Sequence, residues 1–501
     1  MFFWSDMFPT FGSLQVILLA VLCVIATLVL CGRPRNLPPG PRGLPIVGNA
    51  LSLLKGVPGM SVYANWSKKY GDVYTVYFGP MRVIVLNGYA AIHEALVKNA
   101  ESFSSRPLAI DFLSPDEKTL GIVQEPFGPK WKDQRKFAIM SLRDFGVGKR
   151  SMEGKILEEA RALGEEICKK DGRAFSISQM MQNAVSNVIC SIVFGCRYEY
   201  DDTSFKDLLK SINGVLGRNA KAFFATVIPL LRVLPSVRKS YQDVKQYQAK
   251  LTNHIKEEIR EHEKTFDPND IRDFIDAFLL ESKKRQTDQN STFTEQEHAA
   301  IVYQLFLAGT DTTSTTLRWA LLYMILHPDI QEKVQQEIDS VLGPNQEPSM
   351  VHRSQMPCTE ATLAEVLRLA PVVPSSVLHA TSNDTVFRGY SIPKNTAVLV
   401  NIWSVNHNPN LFPDPDKFDP TRFINDAGKY VKSDKVITFS MGRRVCLGEQ
   451  LARMELFLIF TSLLKRFTFK LPEGTPKPSE KGIRQGIYQP VPFKLIAEQR
   501  E

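Results

Sequence analysis

The stretch from Thr294 to Leu326 limits the fold more than any other part of the chain, because it reads as one uninterrupted helix. Thr294 and Glu297 make a capping-box pattern at its start, and His327-Pro328 closes it. About 33 residues at 1.5 Å each span roughly 50 Å, long enough to cross a whole domain. Everything else must therefore pack around it. Its middle, Ala308-Gly309-Thr310-Asp311-Thr312-Thr313, clusters a glycine with threonines, all poor helix formers. Local weakness of this kind often marks function. Small Ala308 and Gly309 would let a flat ligand approach the backbone. A threonine hydroxyl can hydrogen-bond a bound molecule, and the neighbouring carboxylate can relay protons. The plain alternative is a buried helix whose threonines bond back to carbonyls one turn earlier.

The rest of the chain supplies the surroundings. Val73–Phe78 and Arg82–Leu86 have β character and are split by the turn signal Gly79-Pro80. From about residue 89 to 345 the pattern is mostly helical, and after 370 short strands return, as in Ala397–Val400. The predicted class is α+β, mostly α: one helix-rich domain with small sheets. The chain has 501 residues, 44% hydrophobic and 23% charged, ordinary values for a globular protein. Its net charge of +8 comes from scattered basic residues. That argues against nucleic acid and leaves an anionic membrane surface or an acidic protein as partner. Seven cysteines form no CxxC pair, which points to a reducing compartment rather than a disulfide scaffold or structural zinc.

Leu14–Cys31 is nearly all apolar, interrupted only by Gln15 and Thr27. About 18 residues give about 27 Å, enough for a bilayer core. No basic residue precedes the run and no small-x-small cleavage site follows it, whereas Arg33, Arg35 and Arg42 do follow. The expectation is an uncleaved anchor that leaves the remaining chain in the cytosol. Glycan on any of the sequons at Asn65, Asn290 or Asn383 would contradict that topology. Leu37-Pro38-Pro39-Gly40-Pro41 would form a stiff lever. The predicted layout is therefore an anchor segment over 1–32, a proline-rich hinge over 33–45 and a catalytic domain over 46–501.

Cys446 stands in the loop Phe439-Ser440-Met441-Gly442-Arg443-Arg444-Val445-Cys446-Leu447-Gly448, just before an apolar helix-like run from Leu451 to Leu464. A lone cysteine is usually a small buried hydrophobe. At the mouth of a helix, close to an arginine, thiolate is favoured over thiol, and thiolate is a soft ligand for iron. The loop resembles the haem-ligand loop of the cytochromes P450, matching F-x-x-G-x-R-x-C-x-G at every fixed position. Cys-ligated haem of this kind is an established class.

The resemblance extends from the anchor to the C-terminus. Ala308–Thr313 looks like the oxygen-activation motif. It implies that Thr312 hydrogen-bonds bound dioxygen, that Asp311 helps deliver protons, and that Ala308 and Gly309 face the cofactor. Glu365 and Arg368, alone a commonplace i,i+3 pair, match E-x-x-R, and Pro420-Thr421-Arg422-Phe423 matches its partner motif. Glu365, Arg368 and Arg422 would then form a buried triad that locks the cysteine loop. Trp131 and Arg135 match W-x-x-x-R, which with Arg444 would bind the haem propionates. His379, Arg106 and Phe439 are further implied contacts. Arg318–Met324 and Arg143–Lys149 look most like animal microsomal family-2 members, especially the J-type ones that include arachidonate epoxygenases.

The implied cofactor is haem b with Cys446 as axial iron ligand. The implied activity is insertion of one oxygen atom into a lipophilic substrate at the endoplasmic reticulum membrane. The chain has no G-x-G-x-x-G loop, so electrons would come from NADPH through a separate cytochrome P450 reductase, with cytochrome b5 a further partner. Lys132, Lys136, Lys432 and Arg443 are candidates for the docking face. Ile110, Phe112, Phe306, Ala308, Val373, Val377 and Ile487 are candidates for the substrate pocket, each with core packing as the alternative. Polyunsaturated fatty acids such as arachidonate lead the substrate reading, ahead of steroids, drugs and other xenobiotics. A haem–thiolate isomerase or sensor is the reading from another class.

Overall fold

The computed structural model describes residues 36–44, 46–50, 52, 60–107, 119–217 and 220–500, with residues 18 and 20–22. Most of the apolar run 14–31, together with Ile110 and Phe112, lies outside the described residues. Among the described residues no helix is long and apolar enough to cross a membrane.

Among the described residues, the helices that carry the architecture around the site include α1 (Pro129–Asp144), α2 (Arg150–Cys168), α3 (Ser178–Val193), α4 (Pro235–Thr265), α5 (Phe274–Lys284), α6 (Glu295–Leu326), α7 (Pro328–Val341), α8 (Pro357–Leu369) and α9 (Glu449–Arg466). Helix α6 is the expected long helix. Thr294 caps it by accepting the Glu297 N–H at 3.3 Å. The reciprocal half of the expected capping box is replaced. The Glu297 carboxylate takes Lys130 Nζ at 2.6 Å and Gln134 Nε2 at 3.3 Å, tying the start of α6 to α1. Pro328 opens α7, where its fixed φ and missing N–H suit a first helical position.

Phe306, Trp319 and Tyr323 on α6 are all buried. A helix apolar on every side belongs in a core, and α3, α4, α8 and α9 pack around this one. Gly309 answers to that packing. A Cβ there would lie 3.1 Å from Ile189 Cγ1 on α3. The glycine thus serves a helix–helix approach at α3.

The main sheet runs in the order β1 (Val73–Phe78), β2 (Met81–Leu86), β4 (Ala397–Val400), β3 (His379–Ala380). β1 and β2 form an antiparallel hairpin, with Gly79 at φ +59° in the turn. β2 runs parallel to β4, Val83 opposite Ala397. Parallel neighbours need a crossover, and here the crossover is the entire helical body. The two ends of the sequence therefore close on one structure. β3 then hydrogen-bonds the chain beside Arg106 through the Ser105–Ala380 bridge.

Candidate active site

The cysteine loop is built by local backbone geometry. Gly442 has φ +76°, and a Cβ on it would lie 2.0 Å from the Leu96 carbonyl oxygen. Only glycine fits so close an approach. Ser440, at φ +63°, holds a second left-handed position, and the Cys446 N–H closes the loop on the Phe439 carbonyl at 3.0 Å. Gly448 is the N-cap of α9, so the sulfur lies at the mouth of that helix.

Cys446 is exposed by area, yet the protein around it raises its thiol above the usual range. An exposed sulfur that has lost bulk water opens into a recess of the interior. Desolvation is the main cause, opposed by the N–H groups of Gly448 and Glu449 and by the charge of Arg135. Two expectations change. The arginine felt at the sulfur is Arg135 of α1, not neighbouring Arg444. The free protein also holds the thiol protonated, and coordination to a metal is what would remove that proton.

Near Cys446 gather cations that, among the described residues, form no carboxylate ion pair. Arg444 donates to the carbonyls of Ser104 at 2.7 Å, Ile122 at 3.2 Å and Glu125 at 2.5 Å. Arg106 donates to Val123 at 2.9 Å, Val377 at 2.9 Å and Leu378 at 2.8 Å. Arg135 donates to the Val445 carbonyl at 2.6 Å. Trp131 donates to Ile122 at 3.2 Å and lies under the Arg444 guanidinium at 4.1 Å. Burial, then mutual repulsion, lowers Arg106 to about 9 and Arg444 to about 8.

His379 Nδ1 donates to the Phe103 carbonyl at 2.8 Å, while its buried Nε2 has no partner. Burial, then the charges of Arg106 and Arg444, holds the ring neutral. Such a cluster is costly unless an anion occupies it. The two propionates of haem suit it in charge and in the planar donor geometry that guanidinium offers.

Helix α6, which packs against α9, carries Ala308, which is exposed, and Thr312, whose hydroxyl donates to the Ala308 carbonyl at 2.8 Å. The back-bonding expected of a plain helix is thus present at Thr312, and also at Thr316, which donates to Thr312 at 2.9 Å. Burial raises Asp311 to about 6, with Arg318 two turns later pulling it back. A carboxylate titrating near neutral pH suits proton relay.

Of the other pocket candidates, Ile487 is buried and Val373 half-buried. The Val377 carbonyl serves Arg106. Phe306 is corrected. It is fully buried, edge-on to Phe194 at 5.4 Å, so it belongs to the core rather than to any open wall. Phe439 lies under the Arg453 guanidinium at 4.9 Å.

The structure brings Glu365, Arg368 and Arg422 together. Arg368 pairs with Glu365 through Nε at 2.7 Å and the second nitrogen at 2.8 Å, and both side chains are fully buried. Arg422 Nε reaches the same carboxylate at 3.3 Å. From there Asn406 donates to Thr438 at 3.1 Å, and Thr438 donates to the Leu367 carbonyl at 2.6 Å. Thr438 immediately precedes Phe439, so the buried pair is linked to the base of the cysteine loop.

Sequence reasoning missed Glu455 on α9. It is buried, hydrogen-bonded to Thr313 beside Thr312, and pushed up to about 8 by desolvation. A single acid in an apolar helix gives no pattern to find. It also missed His262, Asp273 and Asp276, whose ligand-type atoms lie within 4.8 Å of one another. Arg272 already pairs with Asp276 through Nε at 2.6 Å and a second bond at 2.9 Å, so this cluster is satisfied without an ion.

The chain matches the cytochrome P450 family over residues 38–497. It is 39% identical to human cytochrome P450 2U1, covering 93% of this chain and 90% of the relative. It is 41% identical to rat cytochrome P450 2D26 over 92% of this chain and 93% of the relative. Against human cytochrome P450 2C8 the identity is 39%, over 93% of this chain and 94% of the relative. A desolvated thiol beside a cation cluster, at the mouth of a helix packed against the threonine–aspartate helix, thus coincides with a match across nearly the whole sequence: the chain belongs to the cytochrome P450 family, among its animal family-2 members.

Proposed function

We propose that this P450 monooxygenase is a membrane-tethered enzyme of the endoplasmic reticulum, facing the cytosol, that epoxidises or hydroxylates polyunsaturated fatty acids such as arachidonate. Membership of the family makes it a haem-thiolate monooxygenase that takes electrons from a reductase and acts on lipophilic substrates. The finer reading adds NADPH as the electron source, haem b as the cofactor, cytochrome b5 as a second donor and the 1–32 anchor as the tether. One observation supports the haem-thiolate part of it: Cys446, at the mouth of α9, is accessible yet desolvated beside a cation cluster, and α6, which packs against α9, bears Asp311 and Thr312.

Bound there, haem supplies the oxygen-activating redox chemistry. Cys446 would hold its iron. Arg106, Arg135, Arg444 and Trp131 would hold its propionates, and a propionate beside His379 Nε2 would let that ring take up a proton. Asp311 moves protons through a carboxylate poised near neutral pH, and Thr312 orients them from the next position along α6. Ile487 and Ala308 would offer the substrate an apolar surface. Steroid or drug hydroxylation is the same chemistry on a different occupant.

The test is spectroscopic and then catalytic. The reduced protein with CO should give the thiolate-type Soret band for which the family is named. Reductase, NADPH and arachidonate should then give oxygenated product. A folded protein lacking the band would overturn the haem-thiolate reading, and a normal band with no arachidonate product would overturn the substrate reading alone.

A further inference from the structure

Gln304 lies on α6 two turns before Thr312 and is 2% exposed. Its carboxamide is used at both ends by one short turn of chain. Oε1 accepts the Val123 N–H at 2.8 Å, and Nε2 donates to the Leu120 carbonyl at 2.7 Å. Between these two residues Gly121 has φ +55°, and a Cβ on it would lie 2.6 Å from Gln304 Oε1. The turn and the amide therefore fit each other with no room for a side chain between them.

This turn supplies three of the carbonyls that hold the cation cluster, those of Ile122, Val123 and Glu125. Ile122 accepts from Trp131 at 3.2 Å and from Arg444 at 3.2 Å. Val123 accepts from Arg106 at 2.9 Å, and Glu125 from Arg444 at 2.5 Å. Guanidinium groups that repel one another stay together only if their acceptors are rigid. Three of those acceptors lie on or just after the one-turn helix Gly121–Gln124, and Gln304 ties that segment to the long helix.

We infer that Gln304 is a positioning residue for the haem-propionate clamp, acting through the Leu120–Glu125 turn rather than by touching the cofactor. The inference rests on the haem reading above. The position calls for a carboxamide, because it must accept an N–H and donate to a carbonyl at once. An ionised carboxylate could only accept, and would place an oxygen against the Leu120 carbonyl.

The test is haem retention in the full-length holoprotein, followed as transfer of ferric haem to excess apomyoglobin. Gln304→Met leaves the Val123 N–H and the Leu120 carbonyl without this partner, so transfer should be about tenfold faster or more. Gln304→Glu should also accelerate it. Gly121→Ala attacks the same contact from the turn side and should reproduce the effect if Gln304→Met does not fold. In the double variant Gln304→Met/Gly121→Ala the two effects should be strongly non-additive. Amide exchange over 119–125 should rise, while that of Ser178–Val193 stays as in the parent.

Wild-type transfer rates with wild-type protection of 119–125 in a folded variant would overturn the inference, as would additive effects in the double variant. If those results came with a normal thiolate band, the haem reading would stand and only the role of Gln304 would fall. Absence of the band in the parent protein would remove both.

Discussion

At the scale of single residues, the site separates groups by the environment each has been given. Asp311 and Glu455 are both acids raised by desolvation, yet they differ in reach. Asp311 titrates at about 6 and adjoins Thr312, whereas Glu455 at about 8 stays protonated under most conditions. Asp311→Asn keeps the shape and removes the relay. Product formation should fall by about 100-fold, the usual worth of positioned proton transfer, with haem content unchanged. Retention of full turnover would exclude Asp311 from the relay.

Glu455 has a thermodynamic signature. Its folded pKa lies above its unfolded one, so the folded state keeps a proton that the unfolded chain releases. Stability therefore falls as pH rises from about 4.5 towards about 8, by a few kcal/mol at most. Glu455→Gln removes the titration but can still hydrogen-bond Thr313. It should be more stable than the parent at pH 8, with little difference near pH 4.5. Thermal unfolding across that range decides the point, and parallel pH profiles would refute it.

At the scale of elements, α6 shows what sequence can and cannot deliver. Its ends were legible, because a threonine cap and a following proline are local signals. The purpose of Gly309 was not, because it depends on Ile189 of α3, a residue more than a hundred positions away. The join between α4 and α5 is similar. His262 near the end of α4 donates from Nε2 to Asp273, the N-cap of α5, at 2.8 Å. Burial alone would lower the histidine, but the bond and charge of Asp273 outweigh it and hold it raised. The stabilisation is then complete below the ordinary histidine value of about 6.5 and lost as pH climbs through the raised folded value. His262→Phe should be less stable than the parent by about 1–2 kcal/mol at pH 6, with the gap closing towards pH 9. Melting curves in which the gap widened with pH would reverse the assignment.

At the scale of the whole molecule, the cysteine loop was readable because its constraints lie within ten residues. The cation cluster was readable only by resemblance, since Arg106, Arg135, His379 and Arg444 come from four distant segments. Nothing in the sequence marks Gln304 or the β2–β4 pairing, which close over most of the chain length. The same convergence shapes an outer face. Lys132 and Lys136 of α1, Lys432 upstream of the cysteine loop, and Arg443 within it are all exposed. Lys132 and Arg443 flank the Phe127 ring at 5.1 Å and 5.2 Å. Arg443 also pairs with exposed Glu101 at 3.0 Å. An apolar ring between cations, on the cysteine side of the site, suits an acidic electron-donor protein. Steering by such a face acts on association rate and weakens with salt, because charges separated by about 8–10 Å are screened at physiological ionic strength. Lys132→Glu/Lys136→Glu should therefore slow reduction by the reductase about tenfold at low salt, with the deficit shrinking as salt is added. The thiolate band should stay intact, since neither lysine contacts the cation cluster. Unchanged reduction rates with unchanged salt dependence would move the docking face elsewhere.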